Sequence, residues 1–332
     1  MNWYNTIDKS CLGENMKYIG LDIGGTKCAV SLGQDADTGF EVLERREFPT
    51  AGLSYQQVLE RFSSEIARIL QTNIISRIGI SCGGPLDSRR GIILSPPNLP
   101  GWDSVEITRY FEDRFSVPTM LQNDANACAV AEWLFGAGKG CRNLVFLTFG
   151  TGLGAGLILD GKLYSGTNDN AGEIGHIRLA PEGPVGYGKA GSMEGFCSGG
   201  GIAQLGVQRC REAVVGGEQP LLLREAGSYD RITAKLIAQL ADRGDELCRS
   251  VYQTSGEMLG RGLSILIDLI NPEVIIIGGV FMRSGHLLLP HAERVIRAEA
   301  LSLSGQICRI LPAGLGEKVG DFAALAVAKG MD

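Results

Sequence analysis

Two segments of this 332-residue chain share one plan, and this repetition limits the possible folds more than any other feature. YIGLDIGGTKCAVSLG and RNLVFLTFGTGLGAGLILDG each show the pattern of a buried strand, a glycine turn and a returning strand. Aligning the two hairpins sets Asp22 opposite Thr148 and Gly24 opposite Gly150. The match predicts a duplicated lobe, although a single pair of glycine hairpins also arises by chance.

The remaining segments alternate between strand and helix patterns, which predicts an α/β protein. FEVLERREF extends the first hairpin by a third strand, and apolar residues recur at helical spacing from about Ser54 to Gln71. SVEITRYFEDRFS predicts a further helix, residues 221–270 are rich in helix patterns, and GDFAALAVAKGM predicts a terminal helix. The pattern also predicts three short buried strands that end on glycine or polar residues: RIGISCGGP, PTMLQND and NPEVIIIGGV.

Composition narrows the class of protein. A formal net charge of −6 argues against a nucleic-acid partner, which usually meets a basic face. The N-terminal residues lack the apolar run of a signal peptide, and no apolar stretch reaches the roughly 18 residues of a membrane span. The nine cysteines are dispersed without a C-x-x-C pair, which predicts reduced thiols in a cytoplasmic protein: Cys11, Cys28, Cys82, Cys128, Cys141, Cys197, Cys210, Cys248 and Cys308.

The first glycine turn is a candidate phosphate site. Two adjacent glycines let backbone N–H groups and a threonine hydroxyl approach an anion without obstruction. The turn differs from a Walker A loop, because G-x-x-x-x-G-K-[ST] is absent and a strand follows. Taken alone, it is equally explained as a tight β-turn. Its candidate residues are Asp22, Gly24, Gly25, Thr26 and Lys27.

The second turn has the spacing G-x-G-x-G-x-G, which also differs from the dinucleotide fingerprint G-x-G-x-x-G. Its glycines could simply allow close packing in a sheet. Two such turns in one chain favour a clamp on a phosphate chain more strongly than either does alone. The candidate residues here are Gly150, Thr151, Gly152 and Gly154.

Asp124 lies between the two turns in the run QNDAN, at the predicted end of a strand. A carboxylate there can accept a proton from a substrate hydroxyl during phosphoryl transfer. The alternative is an aspartate that caps the next helix, ANACAVAEWLFG. Its position between two candidate phosphate turns favours the catalytic interpretation.

A third polar cluster, NAGEIGH, is followed by Glu194. Glutamate, asparagine and histidine side chains donate to and accept from the many hydroxyls of a sugar. His176 is one of only three histidines, and either a structural role or metal binding is an alternative for it.

In this order, DIGGTK, QNDAN, FGTGLGAG and AGEIGH resemble the motifs of the ROK family (repressors, open reading frames, kinases), and most closely its glucokinase-like hexose kinases. The resemblance covers about Tyr18 to the last helix. It implies an actin-like ATPase (ribonuclease H-like) fold of two α/β lobes with a central cleft. Residues 1–122 plus about 315–332 would form the smaller lobe, and residues 123–314 the larger.

The resemblance also assigns roles. Asp124 matches the catalytic base, and both glycine turns match the segments that hold ATP, with Mg²⁺ neutralising its phosphates. Gly278 and Gly279 fall near the adenosine of relatives. The positions that match hexose contacts are Gly84, Pro85, Asn98, Asn123, Asp124, Glu173, His176 and Glu194. The sugar stays open between glucose, a β-glucoside, allose, mannose and an N-acetylated amino sugar, and polyphosphate is an alternative donor. The resemblance further implies a homodimer.

One departure from the family pattern concerns a structural zinc. Most members bind it with three cysteines and the histidine, but the cysteine positions here are Val185, Tyr187 and Ser192. Valine cannot bind zinc, and serine and tyrosine are poor ligands beside thiolates. We therefore expect no structural zinc, and expect Tyr187 and Phe196 to hold the loop by packing.

Two other functions are weighed against a kinase. A ROK repressor carries an N-terminal helix-turn-helix domain, and the seventeen residues before Tyr18 are too few for one. A sugar sensor without turnover would not need Asp124 together with both glycine turns. The sequence therefore favours an ATP-dependent sugar kinase that phosphorylates a hexose, most simply at its 6-hydroxyl, over a non-catalytic sugar-sensing protein.

Overall fold

A computed structural model describes residues 16–36 and 39–330. Within them the chain divides into two compact units. The first ends at Asn123 and includes Asp321–Gly330, and the second comprises Asp124–Gly320. Cys11, which we expected to be a reduced thiol, lies outside the described residues.

The first unit is a five-stranded sheet with helices and three short strands. The sheet order is β3-β2-β1-β4-β8, and β5, β6 and β7 form a separate small sheet. The elements are β1 (Lys17–Ile23), β2 (Lys27–Ala36), β3 (Gly39–Pro49), α1 (Tyr55–Leu70), β4 (Arg77–Cys82), β5 (Leu86–Asp87), β6 (Ile92–Ile93), β7 (Val105–Glu106), α2 (Ile107–Phe115) and β8 (Thr119–Asn123).

Helix α1 follows the predicted pattern. Ser54 caps it, and the Ser54 hydroxyl and the Gln57 side chain complete a reciprocal capping box. Its apolar stripe, which includes Val58, Phe62 and Ile66, is fully buried.

The second unit begins with a helix and contains a second five-stranded sheet of order β11-β10-β9-β14-β15. Strands β12 and β13 form a small hairpin. Its elements are α3 (Asp124–Phe135), β9 (Leu144–Phe149), β10 (Leu153–Leu159), β11 (Lys162–Leu163), β12 (Val185–Gly186), β13 (Lys189–Ala190), α4 (Met193–Phe196), α5 (Gly199–Val215), α6 (Leu221–Ala226), α7 (Ala234–Asp242), α8 (Glu246–Ile270), β14 (Val274–Ile277), α9 (Val280–Glu299), α10 (Ser302–Ile307) and β15 (Arg309–Pro312).

The last helix, α11 (Val319–Lys329), runs into the first unit. It packs closely on the first sheet where two glycines lie side by side on β1 and β4. A Cβ added at Gly20 would lie 2.9 Å from the Leu325 nitrogen, and one at Gly79 would lie 2.2 Å from the Ala324 oxygen. Only glycine therefore allows this helix to approach the sheet so closely.

The duplication predicted from the two hairpins is confirmed. Read in the strand orders given above, each sheet has two antiparallel strand pairs followed by two parallel pairs. Strands β1 and β4 of the first sheet therefore correspond to β9 and β14 of the second. The equivalent strands β1 and β9 end at Ile23 and Phe149, and Gly24 and Gly150 each follow directly. Across the described residues, no helix has both the length and the apolar character to cross a membrane.

Candidate active site

Three predicted site segments of the first unit follow the same edge of its sheet. The parallel strands β1, β4 and β8 are in register, with Ile23 beside Cys82 and Cys82 beside Asn123. The segments that continue from these strand ends are the DIGGTK turn, Gly84-Pro85 and Asn123 itself. The carboxyl edge of parallel strands is where open α/β sheets bind their ligands.

The DIGGTK turn is closed by its own backbone. The N–H of Gly24 donates to the Lys27 carbonyl at 3.1 Å, and the Thr50 hydroxyl donates to the Gly24 carbonyl at 2.8 Å. Gly25 and Thr26 are exposed at its tip, and within the described residues their N–H groups donate to no backbone carbonyl. These two N–H groups are therefore available to an anion.

The other two predicted phosphate contacts of this turn, Lys27 and Asp22, are less available to an anion than its tip. Lys27 Nζ lies 2.5 Å from Glu47 Oε1, with 63% of the lysine side chain exposed. A phosphate contact by Lys27 would have to compete with this ion pair. Asp22 is half-buried on β1, in register with Ala29.

The predicted sugar contacts of the first unit form two groups. A Cβ added at Gly84 would lie 3.3 Å from Asn123 Nδ2, so Gly84 and Asn123 are neighbours, and a cis peptide joins Gly84 to Pro85. Asn98 lies elsewhere, against the phosphate turn, because a Cβ at Gly25 would be 2.5 Å from the Asn98 oxygen. The structure therefore brings Asn98 to the DIGGTK turn and Gly84 to Asn123.

The second glycine turn lies between β9 and β10 of the second unit. The Gly150 N–H donates to the Gly152 carbonyl at 3.0 Å, and the Gly154 N–H donates to Thr148 Oγ1 at 3.0 Å. A Cβ added at Gly150 would meet nothing within 4 Å. The N–H groups of Thr151 and Gly152 donate to no backbone carbonyl of the described segments. The turn thus also offers backbone donors beside open space.

The two glycines assigned to adenosine lie against this turn. Strand β14 runs parallel to β9, which places Gly278 and Gly279 at the same sheet edge as Gly150. Gly279 has φ of 65°, and a Cβ there would lie 2.1 Å from the Phe149 oxygen and 3.3 Å from the Gly150 nitrogen. Both the conformation and the space at this position require glycine.

The start of α5 also lies at the second glycine turn, although no sequence motif predicted it. The Gly199 N–H donates to the Gly150 carbonyl at 2.8 Å, and Ser198 caps the helix by accepting the Gly201 N–H at 3.0 Å. A helix N-terminus carries a partial positive charge and favours anions nearby. The Ser-Gly-Gly-Gly run at 198–201 is the signal that could have indicated these residues.

An acidic cluster lies beside the second turn. The pKa of Glu173 is raised, first by desolvation, then by the charges of Asp124 and Glu194, while His176 acts in the opposite direction. The segments that carry these residues are neighbours, because a Cβ added at Gly175 would lie 3.4 Å from Glu194 Cβ and one at Gly154 would lie 3.7 Å from Ala125 Cβ. Residues from three separate sequence segments therefore meet in one place. Glu194 is fixed by the Leu153 N–H, which donates to its Oε2 at 3.0 Å.

Asp124 is the first residue of α3, and its Oδ1 accepts the Ala125 N–H at 2.7 Å. This contact differs from the helix cap of our alternative interpretation, because a capping side chain accepts the N–H two or three residues further along the chain. A carboxylate has two oxygens and about four acceptor positions, so one such bond orients the group and leaves capacity for a proton. Although part of Asp124 is accessible to solvent, desolvation raises the pKa of its carboxyl.

The loop without zinc-binding cysteines is held by polar contacts and by one aromatic ring. Phe196 is buried, and a Cβ at Gly183 would lie 2.4 Å from its ring. Our expectation that Tyr187 also packs there is wrong. Tyr187 is 76% exposed, because it lies at the tip of the hairpin with φ of 42°. Its ring meets the His176 ring edge-on at a ring-centre distance of 6.3 Å.

Cys197, the cysteine nearest this loop, is fully buried, and burial raises the pKa of its thiol. A buried thiol of raised pKa stays protonated and is a poor zinc ligand. Among residues 16–36 and 39–330, no three histidine, cysteine or acidic side chains are grouped so that they could hold a metal ion.

The sequence model of the ROK family matches residues 18–331. A glucokinase of Thermotoga maritima is 30% identical over 316 residues, which cover 95% of this chain and 98% of that protein. A ROK family glucokinase from Streptomyces griseus, solved with glucose and AMPPNP, is 30% identical with a TM-score of 0.74, covering 95% of this chain and 99% of that one.

A ROK family transcriptional regulator, a homologue of the Escherichia coli MLC protein, is 28% identical with a TM-score of 0.82, and the match covers 95% of this chain and 78% of that one. The ROK sugar kinases matched here have the actin-like ATPase fold, so the predicted fold class is confirmed. The family model spans nearly the whole chain, and the protein therefore belongs to the ROK family.

Proposed function

We propose that this protein is an ATP-dependent hexose kinase that transfers the γ-phosphate of ATP to a sugar hydroxyl, with Asp124 as the base. The observation that carries the proposal is the cluster of Asp124, Glu173, His176 and Glu194 beside a glycine turn with unused backbone donors. Proton acceptor, hydroxyl-binding groups and phosphate-binding groups are the three requirements of sugar phosphorylation.

The relatives support this activity. A glucokinase with glucose and an ATP analogue shares 30% of its residues with this chain over nearly its full length. Glucose or a glucose-like sugar, phosphorylated at its 6-hydroxyl, is accordingly the first substrate to test. Glu173, His176 and Glu194 would bind the sugar hydroxyls, with Gly84, Pro85, Asn98 and Asn123 as further predicted contacts.

The residues of the second turn fit the phosphates of ATP. Gly150 has open space where a side chain would otherwise stand, and the N–H groups of Thr151 and Gly152 can donate to phosphate oxygens. Gly154 lies on β10 and supports the turn. Gly278 and Gly279, which lie against the turn, would contact the adenosine. Gly24, Gly25 and Thr26 offer comparable donors, and together with Asp22 and Lys27 they remain predicted phosphate contacts.

Mg²⁺ would neutralise the charge of the phosphates. This ion keeps several waters and usually takes one or two carboxylates in addition to phosphate oxygens. The lack of a three-residue metal cluster in the described part of the chain is therefore compatible with magnesium that arrives with the nucleotide.

Asp124 would accept the hydroxyl proton as the oxygen attacks phosphorus. The bond from the Ala125 N–H fixes the carboxylate, so little reorganisation is needed when the proton moves. Desolvation raises the pKa of the Asp124 carboxyl, and a carboxylate of raised pKa is a stronger base than that of an ordinary aspartate.

A non-catalytic sugar-sensing protein is the second candidate, because a ROK transcriptional regulator has the higher TM-score of 0.82. Sugar binding alone would need Glu173, His176 and Glu194 but not the donors of Thr151 and Gly152. We also propose that the protein is a cytoplasmic homodimer, as the family resemblance implies. The net charge of −6 supports the further proposal that it has no nucleic-acid partner.

A sugar panel tests the proposal. The protein is incubated with ATP, Mg²⁺ and one sugar each of the glucose, β-glucoside, allose, mannose and N-acetylated amino sugar types, and ADP release is followed. Sugar-dependent ADP release is expected with at least one of them, and a parallel run with polyphosphate tests the donor. Sugar binding by calorimetry without any ADP release would favour the sensor.

A further inference from the structure

The hairpin of β12 and β13 is clamped by one side chain of α5. The Val185 N–H donates to Gln204 Oε1 at 2.9 Å, and Gln204 Nε2 donates to the Val185 carbonyl at 2.9 Å. One amide thus satisfies both backbone groups of a residue at the base of the hairpin. Val185 itself is 49% exposed, so its side chain contributes little packing that could hold this strand.

Ser192 joins the same hairpin to α4. It is fully buried, its hydroxyl oxygen accepts the Gly195 N–H at 3.1 Å, and its hydroxyl donates to the Gly186 carbonyl at 3.4 Å. The backbones touch here, because a Cβ at Gly195 would lie 2.2 Å from the Pro184 oxygen. A shift of the hairpin is therefore passed directly to α4.

Helix α4 has only four residues, and Glu194 is one of them. The Glu194 carboxylate reaches the Leu153 N–H at the start of β10, next to the glycine turn. The hairpin also contacts the segment that carries His176, since Lys189 Nζ donates to the His176 carbonyl at 2.8 Å. Two predicted sugar-binding residues thus lie on segments that a single hairpin contacts.

We propose that Gln204 and Ser192 are positioning residues that hold Glu194 and His176 in place for the sugar. Gln204 fixes the hairpin from α5, Ser192 fixes α4 to the hairpin, and hydrogen bonds provide the rigidity of this loop. The inference rests on the proposed function, because it concerns the same sugar site. Neither residue contacts the reacting atoms.

Gln208 provides a matched control. It lies one turn further along α5 and is exposed, and its Nε2 donates to Glu212 of the same helix at 2.9 Å. Gln204→Leu and Gln208→Leu therefore make the same chemical change on one helix, but only the first removes the clamp. Gln204→Glu keeps the acceptor for the Val185 N–H and loses the donor, so an intermediate effect is expected.

The test compares wild type, Gln204→Leu, Gln204→Glu, Ser192→Ala and Gln208→Leu by steady-state kinetics. Loss of two hydrogen bonds predicts that the KM for the sugar rises about five- to twentyfold in Gln204→Leu and Ser192→Ala. The KM for ATP should stay within about twofold, because the donors of Thr151 and Gly152 are untouched. An unchanged sugar KM, or equal increases in both KM values, would overturn the inference.

Amide hydrogen exchange gives a second readout that needs no turnover. The Leu153 N–H is protected by Glu194, so its exchange should accelerate about tenfold or more in Gln204→Leu and stay unchanged in Gln208→Leu. Unchanged Leu153 exchange in Gln204→Leu would show that Gln204 does not hold Glu194. If the wild type phosphorylates no sugar, the proposed function fails, and the Leu153 amide still decides whether the clamp exists.

Discussion

Glu132 accepts the backbone N–H of Leu315 at 2.9 Å, although the two residues are 183 positions apart. The same carboxylate accepts the N–H groups of Gly314 at 3.0 Å and Ala137 at 2.8 Å. Glu132 is fully buried on α3, the helix that begins with Asp124. It therefore connects the candidate catalytic helix to the segment that follows β15.

Glu132→Gln should lower the free energy of unfolding by about 2–4 kcal/mol, because an NH₂ group then faces backbone donors that need an acceptor. Urea unfolding measures the change. Glu246→Gln on α8 is the control, since this glutamate side chain is 83% exposed, and its effect should stay within about 0.5 kcal/mol. Equal effects of the two substitutions would contradict the role assigned to Glu132.

Gly279→Ala should be far more damaging than Gly140→Ala. Both glycines have positive φ, but a Cβ at Gly140 meets nothing within 4 Å, whereas one at Gly279 lies 2.1 Å from the Phe149 oxygen. Gly140→Ala should therefore cost about 1 kcal/mol from backbone strain alone. Gly279→Ala should in addition displace the β9 turn and raise the KM for ATP about tenfold or more. Equal ATP kinetics in the two variants would argue against Gly279 as part of the nucleotide site.

The sequence predicted the two hairpins, the third strand beside the first of them and the helix that begins near Ser54, because each depends on local pattern and turn chemistry. The start of α5 was missed, since three successive glycines are poor helix formers and only the contact with Gly150 reveals their use. Helix α9 was also missed, as Pro290 lies inside it.

Contacts between distant segments could not be predicted from the sequence. The motifs gave Asp124, Glu173 and Glu194 as separate candidates, and only the fold shows that their charges interact. The ion pair of Lys27 with Glu47 and the clamp by Gln204 likewise depend on neighbours supplied by the tertiary structure. Tyr187 was expected to hold the loop by packing in the absence of zinc, but the hairpin places it at an exposed tip.

The pH dependence of turnover should reflect the raised pKa of Asp124. A base must be ionised to accept a proton, so kcat/KM should fall as the pH drops through this raised value. The loss should therefore begin above the pH of about 4 at which an ordinary aspartate protonates. A profile measured from pH 4 to 9 on folded protein tests this. Constant kcat/KM down to pH 4 would contradict the assignment.

Glu173→Gln should raise the melting temperature at pH 7 while weakening sugar binding. The pKa of Glu173 is raised in the folded protein, so the fold favours the protonated carboxyl. The stability from this protonated form is present at low pH and is lost as the pH rises through the raised pKa. Glutamine cannot ionise, so the substitution should remove this loss of stability at pH 7. The rise in melting temperature should be smaller at pH 5. Scanning calorimetry at both pH values measures it, with the exposed Glu182→Gln as control. A lower melting temperature at pH 7 would refute the electrostatic explanation.

A chelator should leave the loop at 183–196 intact, because Ser192, Gln204 and Phe196 hold it without metal ligands. The melting temperature of protein dialysed against 1,10-phenanthroline should match that of untreated protein. A fall of several degrees, restored by added zinc, would show that a metal site contributes to this region.

Turnover by Asp124→Asn tests the central claim most directly, because it separates a base from a helix cap. Asparagine caps a helix as well as aspartate does, but it cannot accept the hydroxyl proton. Asp245→Asn is the matched control, since Asp245 caps α8 by accepting the Cys248 N–H at 2.8 Å. We predict that Asp124→Asn lowers kcat by about 10²–10⁴-fold with sugar affinity largely retained, while Asp245→Asn stays near wild type. Near-normal turnover by Asp124→Asn would contradict the account.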